Sequence, residues 1–313
     1  MTDVSVVVPC HAAARTLPRL LEALKAQTLS VDRFEILLAD SGADDGAEVA
    51  RRAAQGWEGP ELRSLRVPLD SGPALKRNLG AEAAWAGVLA FTDADCVPEP
   101  EWLERGLAAF SDGVGVVQGR TLPPPGQRPE PLTHWIVVNE DHGLFETCNI
   151  FYGRELFDSL GGFSERFYRC YGLPFGEDAD LGWRARRAGA RYRFEAKAVV
   201  RHPVEPIPLR AHLRAQWLAR GFPQLARELP ELRRAFFHRG VFLSPRSARF
   251  AAAAAGVALA RRTPIALGLA LPYVRLVARE AASARAAALA LLTDATLATA
   301  LAYGSVRARR LVV

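Results

Sequence analysis

Asp93 and Asp95 stand two residues apart, directly after the apolar run VLAFT at 88–92. Two carboxylates at that spacing can hold a hard divalent cation, because Mg²⁺ is bound by one or two carboxylates together with substrate phosphates. A cation held there would neutralise a diphosphate leaving group. D-x-D alone is usually a solvated turn; its place just past a buried strand is what points to chemistry. Asp40 closes a second apolar run, FEILLA at 34–39. A carboxylate there can accept hydrogen bonds from a ribose or a base, whereas Asp44 and Asp45, just before a helical pattern, read as helix caps.

Three further clusters carry polar chemistry. KRNLG at 76–80 opens a helix, where basic residues can meet a diphosphate or simply face solvent. Glu177, Asp178 and Asp180 open another helix. Negative charge suits a helix N-terminus, yet three acids exceed what capping needs, and one could serve as general base toward an acceptor hydroxyl. His202 follows a strand-like run and is either a third metal ligand or a structural hydrogen-bonding group.

The elements that must position these groups alternate. Residues 4–9, 34–39, 62–67 and 88–92 read as strands, and 16–27, 44–54 and 73–86 read as helices with apolar residues at helical spacing. Short connections between them define an α/β domain with a Rossmann-like, mostly parallel sheet flanked by helices. Ligands in such sheets bind beyond the carboxyl ends of the strands. Pro9-Cys10-His11, Asp40-Ser41 and Asp93-Ala94-Asp95 all fall at such ends. A further helix is expected over 178–188.

Composition changes near VEPIP at 204–208. Residues 1–204 carry 23 basic and 29 acidic residues, whereas 205–313 carry 17 arginines, no lysine and 5 acids. The expected domains are therefore 1–204, catalytic, and 205–313, a basic, Ala-rich helical region. Arginine suits phosphate and anionic lipid, although high-GC codon usage would also raise the Ala and Arg content. Residues 208–221 form a basic amphipathic pattern. The apolar stretches 250–260, 265–278 and 286–304 are short, or interrupted by Pro272, Arg275 and Asp294, against the ~20 apolar residues a spanning helix needs. Peripheral membrane association or shallow hairpin insertion is expected, with a soluble helical subdomain or a homodimer interface as alternatives. No nucleic-acid motif accompanies the positive charge. No secretory signal is expected, and the four cysteines, with no metal spacing, read as free thiols of the cytosol.

Taken in order, VSVVVPCH, FEILLADSGADDG, KRNLG, FTDAD, the GGF at 161–163 and GEDADLGWRARRAG resemble a family 2 glycosyltransferase of the GT-A fold over about residues 4–204. The resemblance implies inverting transfer of a hexosyl group from a nucleotide-diphosphate sugar to a hydroxyl acceptor, in cell-envelope glycan or glycolipid synthesis. It implies that Asp178 is the catalytic base with Glu177 beside it. Pro9, His11, Asp40, Lys76, Asn78, Asp93 and Ala94 would bind the nucleotide sugar, Asp95 and His202 a Mg²⁺ or Mn²⁺ ion, and Asn149 and Trp183 would lie on the acceptor side. A lipid-linked acceptor would place the enzyme at the cytoplasmic face of the membrane. Two departures stand out: the second acid of the usual V-D-D-G-S is Ser41, and the Q-x-x-R-W of processive synthases is absent, so one sugar per encounter is expected. The alternatives are a degenerate, scaffolding relative and a sugar-phosphate nucleotidyltransferase; the latter would need a Gly-rich basic loop after the first strand, which Pro9–Ala13 does not provide.

Overall fold

Every residue but one of VSVVVPC is buried, as suits an inner strand, and the run lies between two parallel neighbours in the sheet. The computed structural model describes residues 2–313 apart from 43 and 70. The chain divides into two compact units, Met1–Pro129 with His134–Glu205, and Glu130–Thr133 with Pro206–Val313.

In the first unit eight strands form one sheet: β1 (Val4–Cys10), β2 (Phe34–Asp40), β3 (Glu61–Arg66), β4 (Val88–Phe91), β5 (Val97–Pro98), β6 (Val114–Leu122), β7 (Ile150–Gly153) and β8 (Arg191–Arg201). Their spatial order is β3-β2-β1-β4-β7-β6-β8-β5. The pairings β3-β2, β2-β1 and β1-β4 are parallel. Then β7 inserts antiparallel between β4 and β6, β8 runs parallel to β6, and β5 lies antiparallel to β8. Strands β1–β4, β6 and β8 run the same way and only β7 and β5 oppose them, so the sheet is mostly parallel.

Helices cover both faces: α1 (Leu17–Lys25), α2 (Gly46–Ala53), α3 (Pro73–Ala83), α4 (Trp102–Ala108), α5 (Arg154–Ser159), α6 (Arg166–Tyr171) and α7 (Glu177–Arg187). Strand alternation sorts the core. Val6 and Val8 of β1 pack with Leu17, Leu20 and Leu24 of α1, while Val7 faces Ala74 and Ala81 of α3. The β1–β2 register pairs Cys10 with Asp40, so both strands end level at one edge.

The buried amide of Asn149 ties distant strands together. Its Oδ1 accepts from Trp102 Nε1 at 2.8 Å, and its Nδ2 donates to the carbonyls of Arg120 and Ala198, each at 2.9 Å. An enclosed amide with all these partners belongs to the frame. This corrects the expectation that Asn149 faces an acceptor.

In the second unit the helices are α8 (Leu209–Leu218), α9 (Phe222–Glu228), α10 (Leu232–Ala235), α11 (Pro245–Leu259), α12 (Leu271–Glu280) and α13 (Ala284–Ala308), with a 3₁₀ turn at Pro264–Ala270. Residues 130–133 join this unit, where Ile207 N donates to Leu132 O at 2.8 Å. Ser244 caps α11, accepting from Ser247 N. Asp294, in the middle of α13, is buried: Arg246 Nε donates to both its oxygens at 2.8 and 2.9 Å, and Tyr273 Oη donates at 2.7 Å. The charge that interrupts the third apolar stretch thus knits α11, α12 and α13. Helix α13 is long and apolar enough to cross a membrane by length and composition.

Helix α3 approaches β1 so closely at Gly80 that an added Cβ would lie 2.4 Å from Val7 Cγ1. Gly80→Val is therefore expected to cost about 1–3 kcal/mol, the usual penalty for overpacking, read as a lower urea midpoint with an unchanged m-value.

Candidate active site

The parallel strand ends open into a cavity of about 590 Å³ in the first unit, within the range of small-molecule sites. Pro9 and His11 line it from the end of β1, Lys76 and Arg77 from the first turn of α3, and Asp93, Ala94 and Asp95 from the turn after β4. His134, Tyr168 and His202 complete much of the rim. The D-x-D turn is held by Cys96 N donating to Asp93 O at 3.0 Å. His11 Nδ1 lies 3.0 Å from Ser41 Oγ, so the residue that replaces the usual second acid steers the His11 ring.

Arg77 is the centre of the site. Its buried guanidinium donates from Nη2 to Asp93 Oδ1 at 2.9 Å and from Nη1 to Glu177 Oε1 at 3.0 Å. One side chain thereby joins the D-x-D turn to the head of α7. Burial works against the Arg77 charge, but Asp93, Glu177 and Asp178 outweigh it and hold its pKa above the ordinary value. Burial raises the carboxyl of Glu177 even with Arg77 opposing the shift. Burial, reinforced by neighbouring Glu177, pushes Asp178 well above the usual carboxylate range. A raised carboxylate is a stronger proton acceptor than an ordinary one. Arg77 stands between Lys76 and Asn78, the two residues of this helix expected in the site. The only local signal of its role was a second basic residue in the same turn.

Asn78 faces elsewhere. Its Oδ1 accepts from Phe163 N at 2.8 Å and its Nδ2 donates to Phe163 O at 2.9 Å, which corrects its expected contact with nucleotide. From the other side Arg184 donates to Leu160 O and Gly162 O at 2.6 and 2.7 Å, and its Nε pairs with Asp180. The GGF turn is thus clamped between α3 and α7, the helices that carry Arg77 and Glu177. Gly161 and Gly162 adopt φ of +73° and +69°, a region that favours glycine. Of the three acids that open α7, Asp180 is the fastener.

Asp40 lies at the end of β2, buried behind the cavity wall rather than in it. Gly42 N donates to its Oδ1 at 2.9 Å, while Oδ2 is enclosed without a partner. An enclosed acceptor without a donor is costly. Lys76 is buried nearby; burial holds its ammonium below the usual lysine range, with Cys10 and Asp40 pulling the other way. Trp183 is half-buried, donates from Nε1 to Gly143 O at 3.0 Å and packs edge-on against Phe145. Neither Glu177, Asp178 nor Trp183 lines the cavity itself.

Asp95, Cys96 and His202 stand close enough together that they could offer ligands to a cation. His202 Nδ1 lies 3.0 Å from Pro203 O, which can only accept, so the proton sits on Nδ1. In the neutral ring, Nε2 then turns its lone pair toward Asp95 Oδ2, 3.8 Å away. Two acceptors facing each other, one ring oriented by a backbone carbonyl, is an arrangement that metal ligands adopt. Cys96 offers its sulfur within 4.8 Å of both, and burial pushes that thiol well above its usual range. All four cysteines are free.

The sequence profile of glycosyl transferase family 2 matches residues 5–166. The glycosyltransferase AglE of Haloferax volcanii is 30% identical over 213 residues, 65% of this chain and 67% of that protein. The pre-mycofactocin glycosyltransferase of Mycobacterium tuberculosis is 30% identical over 238 residues, 70% of this chain and 45% of its own length. Among solved structures, the mannosyltransferase PcManGT of Pyrobaculum calidifontis, in complex with GDP-Man and Mn²⁺, superposes with a TM-score of 0.61 at 21% identity, covering 96% of this chain and 86% of that one. TarS 1–349 of S. aureus in complex with UDP-GlcNAc gives 0.54 at 14% identity, over 99% and 93%. The alternating sheet with its D-x-D turn therefore has the GT-A fold, and the chain belongs to glycosyl transferase family 2.

The raised Asp178 carboxyl has a consequence for stability. The unfolded residue ionises near pH ~3.9, while the folded one keeps its proton to higher pH. The folded state then binds more protons, so this group's contribution is full below about pH 4 and is lost as pH rises toward the folded pKa. Asp178→Asn, which cannot ionise, is expected to melt higher than the parent at pH 8, with the gap closing toward pH 4 in thermal scans.

Proposed function

We propose that this chain is an inverting, non-processive glycosyltransferase that moves a hexosyl group from a nucleotide-diphosphate sugar to an acceptor hydroxyl. The observation that carries the reading is Arg77, whose two ion pairs set the acids after β4 beside the acids opening α7. A donor-binding carboxylate and a proton-accepting carboxylate are thereby held in one rigid relation.

Asp178, raised and beside Glu177, takes the proton of the acceptor hydroxyl. The acceptor oxygen bonds to the anomeric carbon from the face opposite the diphosphate, the bond from that carbon to the diphosphate oxygen breaks, and the nucleoside diphosphate leaves. Lys76 turns a cation toward the cavity that receives it. Asp95 and His202 would hold a Mg²⁺ or Mn²⁺ ion, which when bound supplies Lewis-acid stabilisation of charge on the diphosphate. The relatives that bind GDP-Man with Mn²⁺, and UDP-GlcNAc, support a nucleotide-sugar donor. The apolar, arginine-rich second unit supports work at the cytoplasmic face of a membrane on a lipid-linked acceptor in envelope glycan synthesis.

Thermal scans with UDP, GDP and dTDP, with and without Mn²⁺, test the donor half. Ligand at about a hundred times its Kd adds about 2.7 kcal/mol to the folded state, so one nucleotide should raise the midpoint with Mn²⁺, and Asp95→Ala should remove the Mn²⁺ dependence. No shift with any nucleotide would sink the reading. Asp178→Asn should lower kcat by about 10²–10⁴, the usual worth of a general base, and leave the nucleotide shift intact.

A further inference from the structure

We propose that the second unit is a docking module for anionic bilayers, with the apolar groove between α11, α12 and α13 taking an alkyl chain of a membrane lipid. The groove holds about 820 Å³ and is walled by side chains such as Phe250, Val257, Val274, Val277 and Leu291. Its surroundings are unusually apolar for a surface. Ile265, on the turn between α11 and α12, is 85% exposed, and Leu267, Leu269, Leu271 and Val274 stand exposed after it. Only 17% of the most apolar window of α13 is buried. Large contiguous apolar surface marks an interaction site.

Charge chooses the occupant. Residues 245–313 contain ten arginines and two acids, Glu280 and Asp294. Both acids pair with Arg246. Arg261, Arg262, Arg275, Arg279 and Arg285 are exposed, and no carboxylate pairs with them among the described residues. Arg261 and Arg262 stand four and three residues before Ile265, and Arg275 and Arg279 share α12 with Leu271 and Val274. Apolar side chains bordered by uncompensated arginines match the boundary between acyl chains and anionic headgroups. A second copy of the same face would bring arginines against arginines, so charge disfavours self-pairing.

This inference deepens the membrane side of the function proposed above, and its test separates the two. The full chain is floated with vesicles of phosphatidylcholine alone or mixed with phosphatidylglycerol, and nucleotide-induced thermal shifts are read on the same samples. Binding is expected to the mixed vesicles and to weaken with salt. Ile265→Asp combined with Val274→Asp, both at exposed positions, should abolish it while the nucleotide shift persists. Arg261→Ala with Arg262→Ala should weaken it about fivefold per arginine, the worth of one basic residue at an anionic surface. Equal binding to neutral vesicles, or no binding to either, overturns the proposal. So does a concentration-dependent dimer in light scattering that Ile265→Asp disperses, because the face would then belong to a second copy. Loss of the nucleotide shift in the parent would instead count against the transferase reading.

Discussion

A single buried guanidinium sets the geometry of this site. Arg77 is nearly inaccessible, and a buried charge is tolerable only when paired and hydrogen-bonded. Its partners come from two segments with no local reason to meet, Asp93 after β4 and Glu177 at the head of α7. Glu177 could not be enclosed there without the arginine, nor the arginine without its two acids. Arg77 and Glu177 are both buried while Asp93 stays partly open to the cavity, and moving either acid strands the guanidinium in a low dielectric, which makes their relation rigid. Asp178 inherits that environment and is raised by it.

Much of the remaining polar chemistry serves to hold that arrangement. Asn78 and Arg184 grip the same glycine turn from opposite helices, so α3 and α7 cannot slide independently. Asn149 performs the corresponding task in the sheet, joining the carbonyls of Arg120 and Ala198 and the indole of Trp102. These amides and this guanidinium lie in stretches that resemble site motifs, yet their hydrogen bonds are internal. The cavity is left to smaller and more exposed groups.

The second unit solves its own burial problem by the same means. One carboxylate, Asp294, accepts from Arg246 and Tyr273 and so joins three helices that have few large side chains to interlock. Alanine contributes little apolar area, which leaves a groove where bulkier residues would have filled the space. Apolar side chains that find no partner inside the unit stay on its surface.

Strands β1, β2 and β4, helices α1 and α3 and the D-x-D turn were legible in the chain itself, because strand and helix periodicities and the polar residues that end them are local properties. The family was legible too, from six short stretches in a fixed order. Strand β6 was not, and of β8 only the run before His202 was, because Arg191, Arg193 and Glu195 give its first half a polar reading that pairing with β6 overrides. Nor were His134 and Tyr168 on the cavity rim, which belong to no motif. The sequence named which acids and bases stand near strand ends. Only the tertiary structure decided which of them meet: Arg77 reaches Glu177 a hundred residues away, Asn78 turns inward and Asp180 becomes a fastener. Side-chain pairing across such distances depends on how helices pack on the sheet, which no local pattern encodes.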